Sequence, residues 1–549
     1  VKQNVANAYD YIVVGSGSSG GVIAARLSES GKHSVLCLEA GTEDENYIWT
    51  RSPLGGAFMI HDPKVNWNEF SEPNESTGNR SIHVPHGKIL GGSSAINATI
   101  ANRGQAADYD HWAQLGCRGW SFSDILPYFK AVETTNIGTE DLRGRAGPIK
   151  ITKSSKLSPF YDLFIASAQA AGIPPNPDYL GSRQFGSAMA QLAAHRGKRH
   201  STASQYLAPA RRRKNLTITT GALATRLLFE GTKCIGVEIE KNGRTFNVRA
   251  NREVIVSCGA INSPKLLELS GIGDPEILGE FGLPVVQALS GVGNNLRDHF
   301  GPTLRWTLNT PGISISDQGR GWRLFRELLR YVVLGKGFMS QGLGTMRIFA
   351  RSRPDLPDSD IQMMANPFLV EVGGGAGISG THGKRSMSRV NGFYMSVQVQ
   401  RPESSGSVHI RSVDATKTPA IRYNFLATEH DRYLATAGVR LAREIVSCEP
   451  LGPFIGAELA PGPKLQSDDD LISYTRNTGS TTYHPVGTCK MGHDSRAVVD
   501  DRLRVHGVAG LRVADASIMP MIISGNTGIP CMAIGEKAAA MILEDVAAG

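Results

Sequence analysis

The sequence predicts an α/β fold, and three observations within its first forty residues carry that prediction. Tyr11 to Val14 is a short apolar run of the kind a buried parallel strand shows. Gly15, Gly17 and Gly20 follow in the spacing G-x-G-x-x-G, with Ser18 in the same loop, and Val22 to Ser28 has helical spacing. A second apolar run, Ser34 to Leu38, ends at Glu39, about 20 residues past the glycines. Each piece has a physical task. Gly15 permits a tight turn, Gly17 lets backbone approach a pyrophosphate, and Gly20 lets helix and strand close together. Phosphates would sit at the helix N-terminus, where free N–H groups and the macrodipole favour anions. Glu39 would hold ribose hydroxyls, and its charge disfavours a 2′-phosphate, so NAD or FAD is expected over NADP. A bare glycine-rich loop would explain the glycines but not the strand, helix, second strand and acid in order. The expected element is a Rossmann-like dinucleotide-binding unit.

Composition bounds the rest. The 549 residues allow three to four domains at ~150 residues each, although large α/β enzymes often use fewer. The 62 glycines exceed the usual ~7% and suit many turns and backbone–ligand approaches. The net charge of +8 is spread among interspersed acids and bases, which argues against a nucleic-acid partner. Seven cysteines lie scattered without C-x-x-C spacing, so free thiols are expected, with neither a disulfide framework nor a metal site. No apolar run approaches the ~18 residues of a membrane span, and Val1 to Ala8 shows no signal-peptide core.

Further along, Gly91 and Gly92 precede Ser93, Ser94 and Asn97, an arrangement in which backbone can lie flat on a ligand and side chains can hydrogen-bond it. The block from Glu253 to Gly273 reads as a buried strand, a glycine turn at Gly259, a helix starting at Ser263-Pro264, and a stop at Gly271. Val390 to Val399 and Ser407 to Arg411 have strand character. Between Gly319 and Val333 lies a basic amphipathic helix. Trp322, Phe325, Leu329, Val332 and Val333 share one face, and Arg320, Arg323, Arg326 and Arg330 lie off it. Two readings stay open for it: packing on the substrate domain, or contact with a membrane surface. The glycine-rich stretch from Gly373 to Met387 reads as a lid-like loop or a disordered insertion.

These blocks resemble the glucose-methanol-choline (GMC) oxidoreductases, flavoproteins that oxidise alcohols. Two family signatures, Gly87 to Asp110 and Gly259 to Gly273, are nearly complete. The likeness continues through Gly291 to His299, Arg401 to Gly406, Tyr483 to Thr488 and Val513 to Ser517. Arg103 to Trp112 and Asp501 to Gly507 are most similar to the bacterial branch that includes choline- and sorbose-dehydrogenase-like proteins.

The resemblance implies a Rossmann-like FAD-binding domain (residues 1–151, 197–300 and 484–549) and a discontinuous substrate-binding domain (152–196 and 301–483) on an antiparallel sheet. It implies FAD cradled by Gly15, Gly17, Ser18, Gly20, Glu39, Gly91, Gly92, Ser93, Asn97, Asp515, Ala516 and Thr527. Asp515 is otherwise readable as a helix N-cap. Covalently flavinylated relatives carry a histidine where Ile96 stands, so the FAD here is expected to be non-covalent.

By the same resemblance His484 is the catalytic base and Asn526, 42 residues later, its partner. A neutral imidazole can take a hydroxyl proton near pH 7 while the carbinol hydride leaves for the flavin, and asparagine can steady the alkoxide without titrating. Read without the family, His484 before proline is an ordinary loop histidine. A helical pattern from Met532 to Ile542 would point its N-terminus at the flavin. The expected activity is oxidation of a primary alcohol or polyol, with electrons passed to a quinone or dye-type acceptor. Oxygen as acceptor and a non-redox hydroxynitrile lyase are the alternatives. The protein is expected in the cytoplasm or peripheral to the inner membrane, and its oligomeric state is left open.

Overall fold

The first apolar run is a buried strand, Ala8–Val14, in a computed structural model that describes residues 7–43, 47–316, 318–319, 321–342, 344–372 and 385–548. It lies centrally in a seven-stranded sheet. Val35–Leu38 pairs with it on one side and the long strand Arg244–Val256 on the other, both parallel. Leu216–Thr219 extends the sheet beyond Val35–Leu38, and Leu511–Val513 pairs parallel with Val254 to Val256. The N-terminal half of Arg244–Val256 instead pairs antiparallel with Lys233–Lys241, which pairs with Leu223–Glu230. Central strands covered on both faces are apolar throughout, which is why Ile12, Val13, Leu36 and Ile255 show no exposed surface.

Helix Gly20–Leu27 packs on this sheet with only Arg26 emerging. The C-terminal helix Gly528–Ala548 lies against it. Arg26 pairs with Glu536 at 2.8 Å, and Tyr206 donates to the same carboxylate at 2.8 Å, so three distant segments are tied at one buried acid.

The second sheet is antiparallel, as expected. Its six strands run Ile455–Ala460, Thr303–Leu308, Gly392–Val399, Ile361–Asn366, Met346–Ala350 and Gly186–Met189 in spatial order. Helix Glu429–Ser447 covers one face through Leu434, Val439 and Ile445.

Several expectations need correction. Ser407 to Arg411 does not join the six-stranded sheet; Gly406–His409 forms a separate three-stranded sheet with Asn294–Leu296 and Ala420–Arg422. The helix expected from Ser263-Pro264 begins at Gly259, and Pro264 sits inside it; the Ala260 carbonyl that its missing N–H would have bonded accepts from the Thr488 hydroxyl at 2.6 Å instead. Gly271, at φ +80°, ends that helix as expected. The boundary set between residues 151 and 152 falls inside strand Ile149–Lys153. The lid-like stretch from Gly373 lies outside the described residues except for its end, strand Arg385–Met387. All seven cysteines are free. Among the described residues no helix is long and apolar enough to cross a membrane, and no cluster could hold a metal.

Candidate active site

A cavity of about 420 Å³ runs from the glycine loop to the antiparallel sheet. At one end its wall holds Gly15, Gly17, Ser18 and Glu39. Gly15 turns at φ +98°, and a Cβ there would stand 2.4 Å from the Ser257 carbonyl oxygen. A Cβ on Gly20 would stand 2.0 Å from the Gly15 oxygen, so Gly20 serves the helix–strand contact and is absent from the wall. A Cβ on Gly17 meets no protein atom within 4 Å, because the space above it is the cavity itself. Glu39 is fixed by Ser16 Oγ donating to its Oε2 at 2.5 Å and by the Gly41 N–H donating to its Oε1 at 2.8 Å. Burial pushes its pKa upward against those hydrogen bonds. Open space over Gly17, the N-terminus of Gly20–Leu27 and an oriented carboxylate together fit a dinucleotide such as FAD.

The middle of the wall comes from Gly92, Ser93, Asn97, Asp515, Ala516 and Thr527, which the fold brings together from three segments. Gly91 is not on the wall. It packs on Ala203, and its N–H donates to Ser16 Oγ at 3.1 Å, so it holds the loop to the glycine turn. Ser94 also points away, its hydroxyl donating to the Gly91 oxygen at 2.6 Å. The Asn97 side-chain oxygen accepts from Arg199 at 2.7 Å and from the Thr99 N–H at 2.9 Å. Asp515 is the N-cap of the short helix Ala516–Ile518. Its carboxylate accepts from the Ser517 N–H and hydroxyl, the Gly259 N–H and the Ser263 hydroxyl, at 2.5 to 2.8 Å. It braces two turns that frame the cavity. The C-terminal helix starts at Gly528 on the wall, with Cys531 one turn in.

The far end holds His484 and Asn526 in contact, Asn526 Nδ2 lying 3.0 Å from His484 Nε2. Their protons can be assigned from the outside inward. His299 Nε2 lies 3.0 Å from the Gln400 carbonyl oxygen and 3.1 Å from that of Ile523. Carbonyls only accept, so this nitrogen carries the proton, and burial lowers the His299 pKa to about 4, so the ring is neutral. His299 Nδ1 is therefore an acceptor, and it lies 3.0 Å from His484 Nδ1. His484 must donate from Nδ1, which leaves Nε2 as a bare lone pair. Thr482 Oγ1, also 3.0 Å from that Nδ1, shares the N–H. From the other side Arg347 Nη2 donates to Asn526 Oδ1 at 2.9 Å, which turns the amide nitrogen toward Nε2. Burial first, then His299 and Arg347, hold the His484 pKa well below the usual imidazole value. The result is a neutral base with one unprotonated nitrogen at the cavity, facing an amide donor.

Asp298 anchors the loop that carries His484. It accepts from the His484 N–H at 2.9 Å, from Tyr423 at 3.2 Å and from the Thr481 hydroxyl, and burial pushes its pKa up to about 7. The preceding residue, Tyr483, sits at φ +69°, a costly conformation for a bulky residue that this anchoring maintains. Sequence reading missed His299, Asp298 and Arg347. The first two end the motif Gly291 to His299, which was the available signal; Arg347 lies in an unremarkable strand and had none.

Comparison with known proteins agrees with this architecture. The family model for the N-terminal part of the GMC oxidoreductases matches residues 9–301, and that for the C-terminal part matches residues 402–535. The chain is 38% identical over 537 residues to an oxygen-dependent choline dehydrogenase of Brucella suis, covering 97% of this chain and 95% of that one. A solved pyridoxine 4-oxidase from Mesorbium loti shares 27% identity at a TM-score of 0.86, covering 97% of this chain and 99% of that one. A solved formate oxidase shares 25% identity at a TM-score of 0.90, covering 99% of each. A family model spanning over half the chain, near full-length relatives and a matching fold lead to one conclusion: the chain belongs to the GMC oxidoreductase family, as an FAD-dependent alcohol oxidoreductase.

Proposed function

We propose that the chain oxidises a primary alcohol or polyol to the aldehyde or ketone, with His484 Nε2 taking the hydroxyl proton. The observation that carries this reading is the ordered chain of hydrogen bonds through His299, His484, Asn526 and Arg347, which leaves a bare Nε2 beside an amide donor. A hydroxyl inserted between His484 and Asn526 replaces one hydrogen bond with two, donating to Nε2 and accepting from Nδ2. The amide then faces the oxygen on which negative charge develops. FAD, when bound, supplies the acceptor for the carbinol hydride. Ile96 lines the cavity and offers no nucleophile, so FAD is held without a covalent bond, and acid precipitation should release it into the supernatant. The test of the reaction is anaerobic mixing with a panel of alcohols. Oxidation bleaches the flavin absorbance; a hydroxynitrile lyase would cleave a cyanohydrin and leave it unchanged.

The preferred acceptor is a quinone, reached at a membrane surface. Helix Gly321–Leu334 does not bury its apolar face: Trp322 is 67% exposed and Val332 78%, with Phe325, Leu329 and Val333 also exposed. Arg323, Arg326 and Arg330 flank that face, and Arg320 lies outside the described residues. The helix is followed by Phe338–Ser340, where Ser52 Oγ donates to the Met339 oxygen at 2.9 Å. Residues just past Ser52, including Pro53, Ala57 and Ile60, line the cavity, so the segment that follows the helix touches a chain stretch leading into the cavity wall. Anionic lipid answers both the apolar face and the arginines. A two-fold pairing of copies would set arginine against arginine, because the only acid of the helix, Glu327, is buried. Flotation with phosphatidylglycerol vesicles should capture the protein, and Trp322→Glu/Val332→Glu should release it while leaving dye reduction intact. Dimerisation without vesicle binding would overturn the membrane assignment. Stoichiometric peroxide in air, at rates matching a quinone analogue, would overturn the choice of acceptor.

A further inference from the structure

Arg347 is a charged group at the His484 end that spends only one of its donors on the relay, and the inference drawn from it rests on the alcohol-oxidising reading above. It projects from strand Met346–Ala350 and is fully buried. Nη2 holds Asn526, but Nε and Nη1 have no hydrogen-bond partner. The guanidinium lies 5.6 Å from the Phe349 ring centroid. No ion pair joins it to a carboxylate among the described residues. Burial lowers its pKa to about 10, which leaves it charged at neutral pH. Nη1 is close behind the wall: a Cβ on Gly344, a lining residue, would stand 3.8 Å from it.

Among the described residues, the acids at the cavity and behind His484 are held by protein donors, and none pairs with Arg347. Glu39 and Asp515 touch the cavity, yet each is saturated by protein donors. Asp298 lies behind His484 and spends its oxygens on that loop. Glu69 is buried behind His86, 3.4 Å from its Nε2; neither of its oxygens is hydrogen-bonded, and it makes no ion pair with Arg347. The wall beside Arg347, from Gly344, Met364 and Asn366, is uncharged. A buried cation without a counter-charge is costly, and mobile water does not screen it.

We propose that Arg347 selects the substrate by charge: the site accepts neutral or anionic primary alcohols and rejects quaternary-ammonium alcohols, while the same guanidinium positions the Asn526 amide. The positive field repels a cationic headgroup and favours the alkoxide forming next to Asn526. In this respect the chain departs from relatives named for choline.

The experiment measures anaerobic flavin reduction with a matched series: choline, its neutral isostere 3,3-dimethyl-1-butanol, and the anion 3-hydroxypropanoate. In the wild-type holoenzyme kcat/KM for the isostere should exceed that for choline by about 10- to 100-fold, the range for like charges in a partly desolvated site. Arg347→Met should narrow that ratio by about tenfold, and Arg347→Lys, which keeps the charge, should preserve it. The positioning role has its own signature. Arg347→Met should move the pH of half-maximal flavin reduction upward, because a cation facing His484 is gone. Equal rates for choline and isostere in the wild type would overturn charge selection while oxidation stood. A uniform drop for all three substrates in Arg347→Met, with the ratio and pH profile unmoved, would reduce Arg347 to a packing residue. Bleaching by none of the three, nor by any other alcohol, would remove the oxidation reading and this inference with it. Should Arg347→Met fail to fold, the wild-type ratio decides alone.

Discussion

The two ends of the cavity are built by opposite rules. The glycine end is backbone: a turn at Gly15, an open surface over Gly17 and the start of a helix, all from one contiguous stretch closed by Glu39. The histidine end is side chains: His299, Arg347, His484 and Asn526 arrive from four separate segments and are ordered by hydrogen bonds to one another. A backbone cradle fixes shape and tolerates no added atoms. A side-chain relay fixes protons and charge, and it can lose a member while the fold survives. Substitutions at the two ends should therefore fail in different ways.

The largest effect is expected at the cradle. A Cβ on Gly17 meets no protein atom within 4 Å, so Gly17→Val should fold, yet it places its methyl groups where a cofactor would lie. FAD content, read from the flavin-to-protein absorbance ratio, should fall to near zero with the melting temperature of the apoprotein unchanged. Gly20→Val is the contrast: its Cβ would stand 2.0 Å from the Gly15 oxygen, and folding itself should fail. Full FAD occupancy in Gly17→Val would break the assignment of this end.

Next comes the base. His484→Ala should keep its FAD, because the imidazole lies at the other end, and should slow flavin reduction by about 10²–10⁴, the usual cost of losing a general base. A wild-type rate in a folded, loaded variant would remove His484 from the mechanism. A smaller loss is expected for His299→Phe. Without its acceptor the Nδ1–H of His484 keeps only Thr482 as a partner, and the imidazole can switch tautomer and turn a protonated Nε2 toward substrate. Losing one of two hydrogen bonds costs about 0.5–1.5 kcal/mol, so a reduction in rate of roughly 2- to 12-fold is expected, without loss of FAD. An unchanged rate would show that the relay does not set the proton position.

The same contrast governs what could be read before the fold was known. Strand, glycines, helix and acid are legible because the cradle is local, each residue acting on its near neighbours. Glu39, Gly17 and Ser18 are where the pattern puts them. Gly91, expected at the cofactor, and Ser94, read as able to hydrogen-bond one, lie off the cavity wall, because a glycine-serine loop does not reveal which side is concave. His484 and Asn526 were legible through family likeness alone, since a histidine before proline carries no local sign of its task. His299 sat within a quoted motif, but its role depends on the carbonyls of Gln400 and Ile523, more than a hundred residues away in the chain. Arg347 differs from any strand arginine only in what surrounds it, and that is a property of the assembled sheets. The amphipathic helix shows the converse: its period was readable, but whether its apolar face would be covered was decided by tertiary structure.

The smallest effect is one of pH, and it tests whether the relay holds its proton pattern in the intact protein. The reactive form of His484 is neutral. An unperturbed imidazole titrates near ~6.5, so an exposed base would give a rate that climbs as pH rises through that value. Here burial disfavours the charged ring, and the groups that face it add to the shift: Arg347 contributes positive charge, and His299, itself lowered to about 4, supplies no negative charge. Asp298 faces the His484 backbone N–H, with its own pKa pushed up to about 7, so at acidic pH it is increasingly neutral and gives the imidazolium little support. Burial, His299 and Arg347 act with the same sign, the opposing carboxylate of Asp298 fades as pH falls, and protonation of His484 is displaced to lower pH. The rate of anaerobic flavin reduction by a neutral alcohol should thus stay level from pH 8 down through 6.5 and fall only on the acid side of it. His299→Phe removes one contributor and should leave the inflection nearly in place, because burial is the leading cause. An inflection at or above 6.5 in the wild type would mean that water reaches the imidazole, and the far end of the cavity would then be an open cleft rather than a desolvated relay.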